Sequence, residues 1–195
     1  MSELIDPAGL GTTPGLPDDC FEHDGLITKR QQRASAFAFL RPGPGQLLWD
    51  VGAGSGAVAI EWCRAAPEAH AVAVERRAER AERAQRNIDR LAPGRVQLHF
   101  GMAAELIATL PTPDAIFIGG GLSAEVLDGC RAALRAGGRL VAHGVTLETE
   151  ALLADRFAAH GGQLTRISVE TAEPLGRFTG WVPARPVTQW AFVLR

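Results

Sequence analysis

Glycines occupy alternate positions in a short stretch that joins an apolar run to an apolar-periodic segment. They are Gly52, Gly54 and Gly56, and they follow the run Leu47–Trp49. A strand, a glycine turn and a helix in that order are the context of a nucleotide-binding loop. Glycine tolerates positive φ, and its missing Cβ lets a ligand lie against the main chain. The stretch predicts a binding loop, with a plain strand-to-helix turn as the alternative.

The spacing of these glycines bears on the class of ligand. The dinucleotide pattern G-x-G-x-x-G wraps a pyrophosphate onto a helix N-terminus, and its third glycine would fall at Ala57 here. A ligand with a smaller anion, such as the carboxylate of S-adenosylmethionine, fits the G-x-G-x-G spacing as well. Dinucleotides and S-adenosylmethionine both remain open on the loop alone.

The ends of the next two apolar runs carry further candidates for binding a nucleoside. Glu75 ends the second run, twenty-one residues after Gly54, where a carboxylate accepts hydrogen bonds from ribose hydroxyls. A surface carboxylate or a helix N-cap is the alternative. Gly101, Met102 and Ala103 end the third run and are candidates to frame an adenine, although methionine also serves as core filler.

Three consecutive glycines, Gly119–Gly121, end the fourth apolar run. In an open α/β sheet, ligands bind beyond the carboxyl ends of the strands, near the point where the strand order reverses. Residues without Cβ at that edge leave room for a cofactor and a substrate to meet.

The elements that must position these residues alternate along the chain. After a helix over Arg30–Leu40, with Thr28 as its N-cap, we expect strands at 47–51, 70–75, 96–100, 114–118, 139–145, 163–170 and 188–194, and helices at 56–66, 77–91, 103–109, 123–135 and 147–160. Near-continuous apolar strands separated by helices predict an α/β fold with a parallel sheet covered on both faces.

The ends of this pattern set the expected domain organisation. Residues 1–14 predict a flexible tail, and residues 15–195 a single domain. The stretch 171–187 predicts a long loop, which in a compact domain is usually functional; a plain surface excursion is the alternative.

Composition excludes several classes of protein. The net charge of −2 without a long basic run disfavours nucleic-acid binding, and no stretch has the roughly 20 apolar residues of a membrane span. Three cysteines without C-x-x-C spacing disfavour a disulfide framework or a structural zinc site. We expect a cytoplasmic protein without a metal site, since the N-terminus also lacks a signal-peptide pattern.

Missing residues narrow the choice of cofactor. Short-chain dehydrogenases need a tyrosine and a lysine four residues later, but the chain has no tyrosine and its single lysine is Lys29. The fourth strand is not followed by the Asn-Pro-Pro-aromatic motif of amino-methylating enzymes or by an acidic Mg²⁺ cluster. The pattern favours a class I S-adenosylmethionine-dependent methyltransferase. Membership of that class would imply a Rossmann-like fold with a mainly parallel seven-stranded sheet whose last strand is antiparallel.

Motifs along the whole chain carry a more specific resemblance. They are Gly15–Asp19, Gly25–Arg30, Trp49–Gly56, Ile116–Gly121, Val145–Thr149 and Pro183–Gln189. Together they resemble the decarboxylating precorrin methyltransferases of cobalamin biosynthesis, which form the carbon-15-methylating part of precorrin-6Y C(5,15)-methyltransferases. The resemblance runs from about Gly15 to the C-terminus.

The resemblance implies an activity, partners and a residue set. It implies methylation of carbon 15 of a precorrin, decarboxylation of its ring C acetate, a homotetramer, and a carbon-5 methyltransferase that is associated or fused. Thr28 would close over S-adenosylmethionine, and Ala103 would lie at the adenine. With the residues above, the candidate cofactor set is Thr28, Gly52, Ala53, Gly54, Ser55, Gly56, Glu75, Gly101, Met102, Ala103 and Gly119.

Candidates for catalysis and substrate binding depend on the chemistry of the substrate. His143, near the end of strand five, is the candidate for proton handling, with a satisfied core histidine as the alternative. Arginines on mobile elements are natural ligands for a polycarboxylate, and Trp181 is a candidate to stack on a flat tetrapyrrole. The arginine candidates are Arg30, Arg33, Arg177 and Arg185. A class I methyltransferase for protein, RNA or a small metabolite, and a non-catalytic cofactor-binding subunit, remain as alternatives.

Overall fold

The computed structural model describes residues 5–6 and 9–195. Within this part of the chain the strands are β1 (Leu47–Val51), β2 (His70–Glu75), β3 (Val96–Phe100), β4 (Ala115–Ile118), β5 (Arg139–Gly144), β6 (Gln163–Ile167), β7 (Glu170–Leu175), β8 (Phe178–Pro183) and β9 (Val187–Val193). The helices are α1 (Arg30–Leu40), α2 (Ala57–Ala65), α3 (Ala78–Leu91), α4 (Ala103–Leu106), α5 (Ala124–Ala133) and α6 (Leu147–His160).

One seven-stranded sheet organises the molecule, in the order β3-β2-β1-β4-β5-β9-β6. The pairs among β1 to β5 are parallel, whereas β9 runs antiparallel to both β5 and β6. This confirms the predicted class I methyltransferase fold, with its antiparallel last strand. The strand order reverses between β1 and β4, so the switch point lies where the two glycine-rich strand ends meet.

Two apolar clusters cover the two faces of the sheet. One contains buried side chains of α1, α2 and α3, and the other contains those of α5 and α6. Neighbouring residues of a strand enter opposite clusters, as Leu48 and Trp49 of β1 do. Burial on both faces explains why these strands read as continuous apolar runs in the sequence.

The prediction of a long loop at 171–187 is wrong. Most of it forms a hairpin in which β7 and β8 pair as a separate two-stranded sheet, and β6 ends at Ile167. The hairpin turns at Gly176, which has φ 60°. Because both faces of this hairpin are largely exposed, the sequence shows no apolar–polar alternation, and Pro174 and Pro183 disguise the strands further.

The start of α1 also differs from its prediction. Lys29, not Thr28, is the N-cap residue, and no side chain caps the helix. Arg33 is fully buried, so it is not a free ligand for a substrate carboxylate as predicted. Its Nε donates to Glu61 Oε1 at 2.9 Å, and its Nη1 donates to Asp18 Oδ1 at 2.8 Å.

Glu61 of α2 extends this ion pair to the chain before α1. Its carboxylate accepts hydrogen bonds from the backbone N–H of Gly15 at 2.8 Å and of Leu16 at 3.0 Å. Burial raises the pKa of Glu61, although Arg33 and these N–H groups oppose the shift. Arg33 and Glu61 thus fix the N-terminal segment of the domain against α1 and α2.

Part of the predicted tail contacts the domain. The N–H of Ile5 donates to Asp19 O at 3.0 Å, and Gly11 O accepts from Arg64 Nη2 at 2.9 Å. Residues 1–4 and 7–8 lie outside the described residues, so the domain division at residue 15 stays a prediction. No helix within 5–6 and 9–195 is both long and apolar enough to cross a bilayer.

Candidate functional site

A cavity of about 480 Å³ opens at the carboxyl ends of the central strands. This volume lies within the roughly 300–1,000 Å³ that small-molecule sites occupy. Its walls bring together most of the predicted cofactor residues: Thr28, Gly52, Ala53, Gly54, Ser55, Glu75, Gly101, Met102, Ala103 and Gly119. Their lining of one cavity at the switch point makes it the candidate site.

The glycine loop is held in place by β2 and by the end of β4. The N–H groups of Gly52 and Ala53 both donate to Val74 O, at 2.9 and 3.0 Å. A Cβ on Gly52, which has φ 72°, would lie 2.4 Å from Gly120 O. The loop and the triple glycine therefore touch backbone to backbone, which explains the need for glycine at position 52.

Gly56 lies outside the cavity lining and has a structural place. It is the N-cap residue of α2 with φ 75°, and a Cβ there would contact Ala84 and Ile88 of α3. Gly54, in contrast, faces open space, since a Cβ there would meet no atom closer than 4.0 Å. Open space above Gly54 keeps the main chain accessible to a ligand.

Glu75 joins the glycine loop to the cavity wall. Its carboxylate is buried, and its two oxygens accept from Gly54 N–H and Arg77 N–H, each at 2.9 Å. Carboxylate oxygens have further lone pairs for donors from a ligand. Glu75 is thus a fixed acceptor in the cavity wall, which suits a ligand with hydroxyl groups.

Asp50 is a cavity residue that the sequence analysis missed as a functional candidate. Its carboxyl group is buried below the loop, and Oδ2 accepts from Ala59 N–H at 3.0 Å. Burial raises its pKa to about 7, the Ala59 N–H opposes the shift, and the negative charge of Glu75 adds to it. Its position two residues before Gly52 was the available signal.

Two polar atoms of the lining have no hydrogen-bond partner among the residues that the structure describes. They are Ser55 Oγ and Arg80 Nη2, and both are shielded from solvent. Buried polar atoms in native proteins are almost always hydrogen-bonded. These two atoms indicate that the cavity receives a polar ligand.

His143 lies in the core and not in the cavity lining. Its Nε2 is 2.9 Å from Gln189 Oε1 on β9, and its ring packs edge-on against Phe117 with 4.9 Å between centroids. Burial lowers its pKa to about 4, which the bond to Gln189 only partly opposes. His143 is therefore neutral at pH 7, and a role in proton handling stays a prediction.

The structure does not bring the predicted hairpin residues to the cavity. Arg177 is exposed at the hairpin turn with its guanidinium 5.0 Å from the Phe178 ring centroid, and Arg185 is exposed after β8. Trp181 is 72% exposed on β8. Contacts of these three side chains with a substrate stay predictions, as does that of the exposed Arg30.

Comparisons with known proteins agree on one family. A family model described as the precorrin methyltransferase domain matches residues 19–194. A precorrin-6Y C(5,15)-methyltransferase [decarboxylating] of Sinorhizobium sp. is 48% identical over 184 residues, which are 94% of this chain and 45% of that protein. The chain therefore spans about half the length of such relatives.

Two further proteins match nearly end to end. The "Probable cobalt-precorrin-6B C(15)-methyltransferase (decarboxylating)" of Pyrobaculum calidifontis is 34% identical over 90% of this chain and 93% of its own length. The crystal structure of the C-terminal domain of precorrin-6Y C5,15-methyltransferase from Rhodobacter capsulatus has a TM-score of 0.87 and 48% identity, covering 93% of this chain and 98% of that one. The chain belongs to the precorrin methyltransferase domain family.

Proposed function

We propose that this chain methylates carbon 15 of a precorrin and decarboxylates its ring C acetate in cobalamin biosynthesis, with S-adenosylmethionine as methyl donor. The observation that carries the proposal is the cavity at the switch point, in a chain of this family. Its lining combines a bare glycine loop, a fixed carboxylate and a side-chain-free strand end. The name of the Pyrobaculum relative, which the chain covers almost completely, supports the same reaction.

The lining residues fit the parts of S-adenosylmethionine. Glu75 would accept hydrogen bonds from the ribose hydroxyls, and Gly101–Ala103 would frame the adenine. The glycine loop would hold the methionine part, with Asp50 as the carboxylate for its ammonium group and the otherwise unpartnered Ser55 Oγ as a further polar contact. Thr28 lies in the cavity wall before α1, consistent with a covering role.

The reaction asks the protein mainly for positioning. The bound cofactor supplies an electrophilic methyl group that carries its own leaving group. Alignment of the carbon nucleophile with this methyl is then the main contribution of the site. Gly120 and Gly121 line the cavity without side chains, which leaves space for the edge of a macrocycle. Loss of carbon dioxide leaves an electron pair that a protonated ring imine conjugated with the acetate would accept.

Product analysis tests the proposal against its rivals. The pure protein is incubated with a precorrin substrate and S-adenosylmethionine, and the product is weighed by mass spectrometry. The proposed reaction gives a product that has gained one methyl group and lost one carbon dioxide. Another class I methyltransferase would leave the precorrin unchanged, and a non-catalytic subunit would bind the cofactor without turnover.

We also propose a homotetramer that assembles through the β7–β8 hairpin. Leu175 and Phe178 are cross-strand partners on one face of the hairpin, and Trp181 lies on the other. All three are at least 65% exposed. An isolated two-stranded hairpin is marginal in water, and apolar patches on both of its faces favour cover by another chain. Light scattering would give the assembly mass.

The carbon-5 methylation belongs to a separate domain or partner in this proposal. The support is that the chain covers only 45% of the Sinorhizobium relative, whose name includes both carbons. The protein alone should therefore add one methyl group and not two. A location in the cytoplasm stays a prediction from the sequence.

A further inference from the structure

A segment before α1 forms the wall of the cavity that faces α3. We refer to Glu22–Thr28 as the cover segment, because Leu26, Ile27 and Thr28 line the cavity. Ile27 is buried in the apolar cluster that contains α1, α2 and α3, whereas Leu26 is 71% exposed. Polar contacts with α3 hold the segment in addition to the burial of Ile27.

The base of the cover segment is anchored by Asn87 of α3. This buried amide donates to Glu22 O and to Ser55 O, each at 2.9 Å, and accepts from Glu22 N–H at 2.9 Å. The same side chain therefore holds the cover segment and the glycine loop. Movement of one relative to the other would leave a buried amide unsatisfied.

The middle of the cover segment is held by an ion pair. Asp24 Oδ2 accepts from Arg80 Nε at 2.8 Å and lies 3.6 Å from Arg83 Nη1. Asp24 Oδ1 accepts from Leu26 N–H at 3.1 Å, so the carboxylate itself is oriented by the backbone. Arg80 and Arg83 share this partner but differ in one respect: only Arg80 is among the cavity-lining residues.

Arg80 has a donor that this arrangement leaves unused. The guanidinium is planar, so the bond from Nε to Asp24 restricts where its other nitrogens point. Nη2 is shielded from solvent and has no partner among the described residues. A buried guanidinium N–H without an acceptor is costly, and the cavity that the side chain lines is where an acceptor can enter.

The chemistry of the same wall defines the part of the ligand that Arg80 faces. Glu75 and Arg77, which line the wall with Arg80, come from the end of β2 and the start of α3. Glu75 is the residue placed at the ribose, and it can only accept hydrogen bonds. The ring nitrogens of adenine and the ribose oxygens are hydrogen-bond acceptors, so a guanidinium N–H is a complementary donor.

We propose that Arg80, oriented by Asp24, binds the adenosyl part of the cofactor through a hydrogen bond donated by Nη2. The inference rests on the proposed function, because it takes S-adenosylmethionine as the ligand of the cavity. Asp24 is then a positioning residue that acts through Arg80. Arg83 balances the charge of Asp24 from outside the cavity.

Calorimetric titration with S-adenosylhomocysteine tests this assignment. Arg80→Ala should raise the dissociation constant about tenfold or more, the usual effect of losing one hydrogen bond from a charged donor. Arg83→Ala is the matched control, since it removes a cation from the same carboxylate but not from the cavity, and its effect should stay within about twofold. Asp24→Asn should lie between the two, because Arg80 keeps its donor but loses its orientation.

Two further measurements separate adenosyl recognition from a general loss of structure. Titration with 5′-deoxy-5′-methylthioadenosine, which lacks the amino acid, should show the same fold-change for Arg80→Ala. Arg80→Lys should also lose affinity, because a lysine keeps the charge without the second fixed donor. This variant replaces Arg80→Ala if the alanine variant does not fold, as judged by thermal unfolding without ligand.

The outcomes distinguish this inference from the proposed function. A wild-type protein that does not bind S-adenosylhomocysteine contradicts the choice of cofactor. A wild type that binds it while Arg80→Ala and Arg83→Ala behave alike overturns only the assignment of Arg80. Unchanged affinity of Arg80→Ala for methylthioadenosine overturns it as well.

Discussion

Asp50 shows how one buried carboxyl group links the site to pH. Its pKa in the folded protein is raised to about 7 by burial, from 3.8. The unfolded chain releases this proton at lower pH, so between about pH 4 and pH 7 it binds fewer protons than the folded state. The free energy of unfolding therefore decreases as the pH rises through this window. Asp50 destabilises the ligand-free protein when it is ionised. A role in binding the ligand ammonium group would explain its presence in the site.

Asp50→Asn should stabilise the ligand-free protein at about pH 8 and not at about pH 4, because asparagine keeps an acceptor for Ala59 N–H and does not ionise. The wild type should bind S-adenosylhomocysteine more tightly as the pH rises from about 6 to 8, because the ligand ammonium competes with the proton on Asp50, and the same variant should remove this rise. Denaturant titration and calorimetry measure the two effects. Equal pH profiles for both proteins would contradict this role.

At the residue scale, the glycine loop and the acid that ends β2 could be predicted from the sequence as part of the cavity wall, but the burial of Arg33 and His143 could not. Gly52 has one local requirement, a positive φ beside another backbone, and the motif spacing records it. Arg33 and Glu61 are 28 residues apart, and only the tertiary structure brings them together. The surroundings of His143 depend on its cross-strand partner Gln189, which lies too far away in the sequence for a local pattern to indicate it.

The ion pair of Arg33 with Glu61 matters most at the scale of elements. It joins α1 to α2 and, through the bonds of Glu61 to Gly15 and Leu16, fixes the chain before α1. Breaking a buried pair leaves an uncompensated charge, and that costs more than the pair itself contributes.

Arg33→Met should lower the free energy of unfolding by about 3–5 kcal/mol, because Glu61 remains buried without its cation. Arg30→Met, one turn earlier on α1 and exposed, is the matched control and should change stability little. Urea unfolding followed by circular dichroism gives both values. Similar values for the two variants would show that the pair does not hold the helices together.

The alternation of strands and helices in a mainly parallel sheet is the part of the fold that the sequence predicts best. Alternating apolar strands and helices allow few sheet topologies, because parallel crossovers are right-handed and helices must cover both faces. The hairpin was not predicted from the sequence, because both of its faces are exposed and no apolar–polar alternation marks its strands. Cover by a second chain, as in the proposed homotetramer, would account for this pattern.

At the scale of the whole molecule, assembly through the hairpin should be separable from cofactor binding. Phe178→Ser and Trp181→Ser should reduce the assembly mass measured by light scattering, whereas Thr179→Ser, on the same strand, should not. Affinity for S-adenosylhomocysteine should remain unchanged in all three, because none of these residues lines the cavity. A wild-type monomer would contradict the tetramer.

In the proposed function, one cavity serves a methylation coupled to a decarboxylation. The most direct test uses a precorrin labelled in the ring C acetate carboxyl and S-adenosylmethionine labelled in its methyl group, with both labels counted after turnover. We expect the macrocycle to gain one labelled methyl group for each labelled carbon dioxide released. A methylated product that keeps its labelled carboxyl, or release of carbon dioxide without methyl transfer, would contradict it.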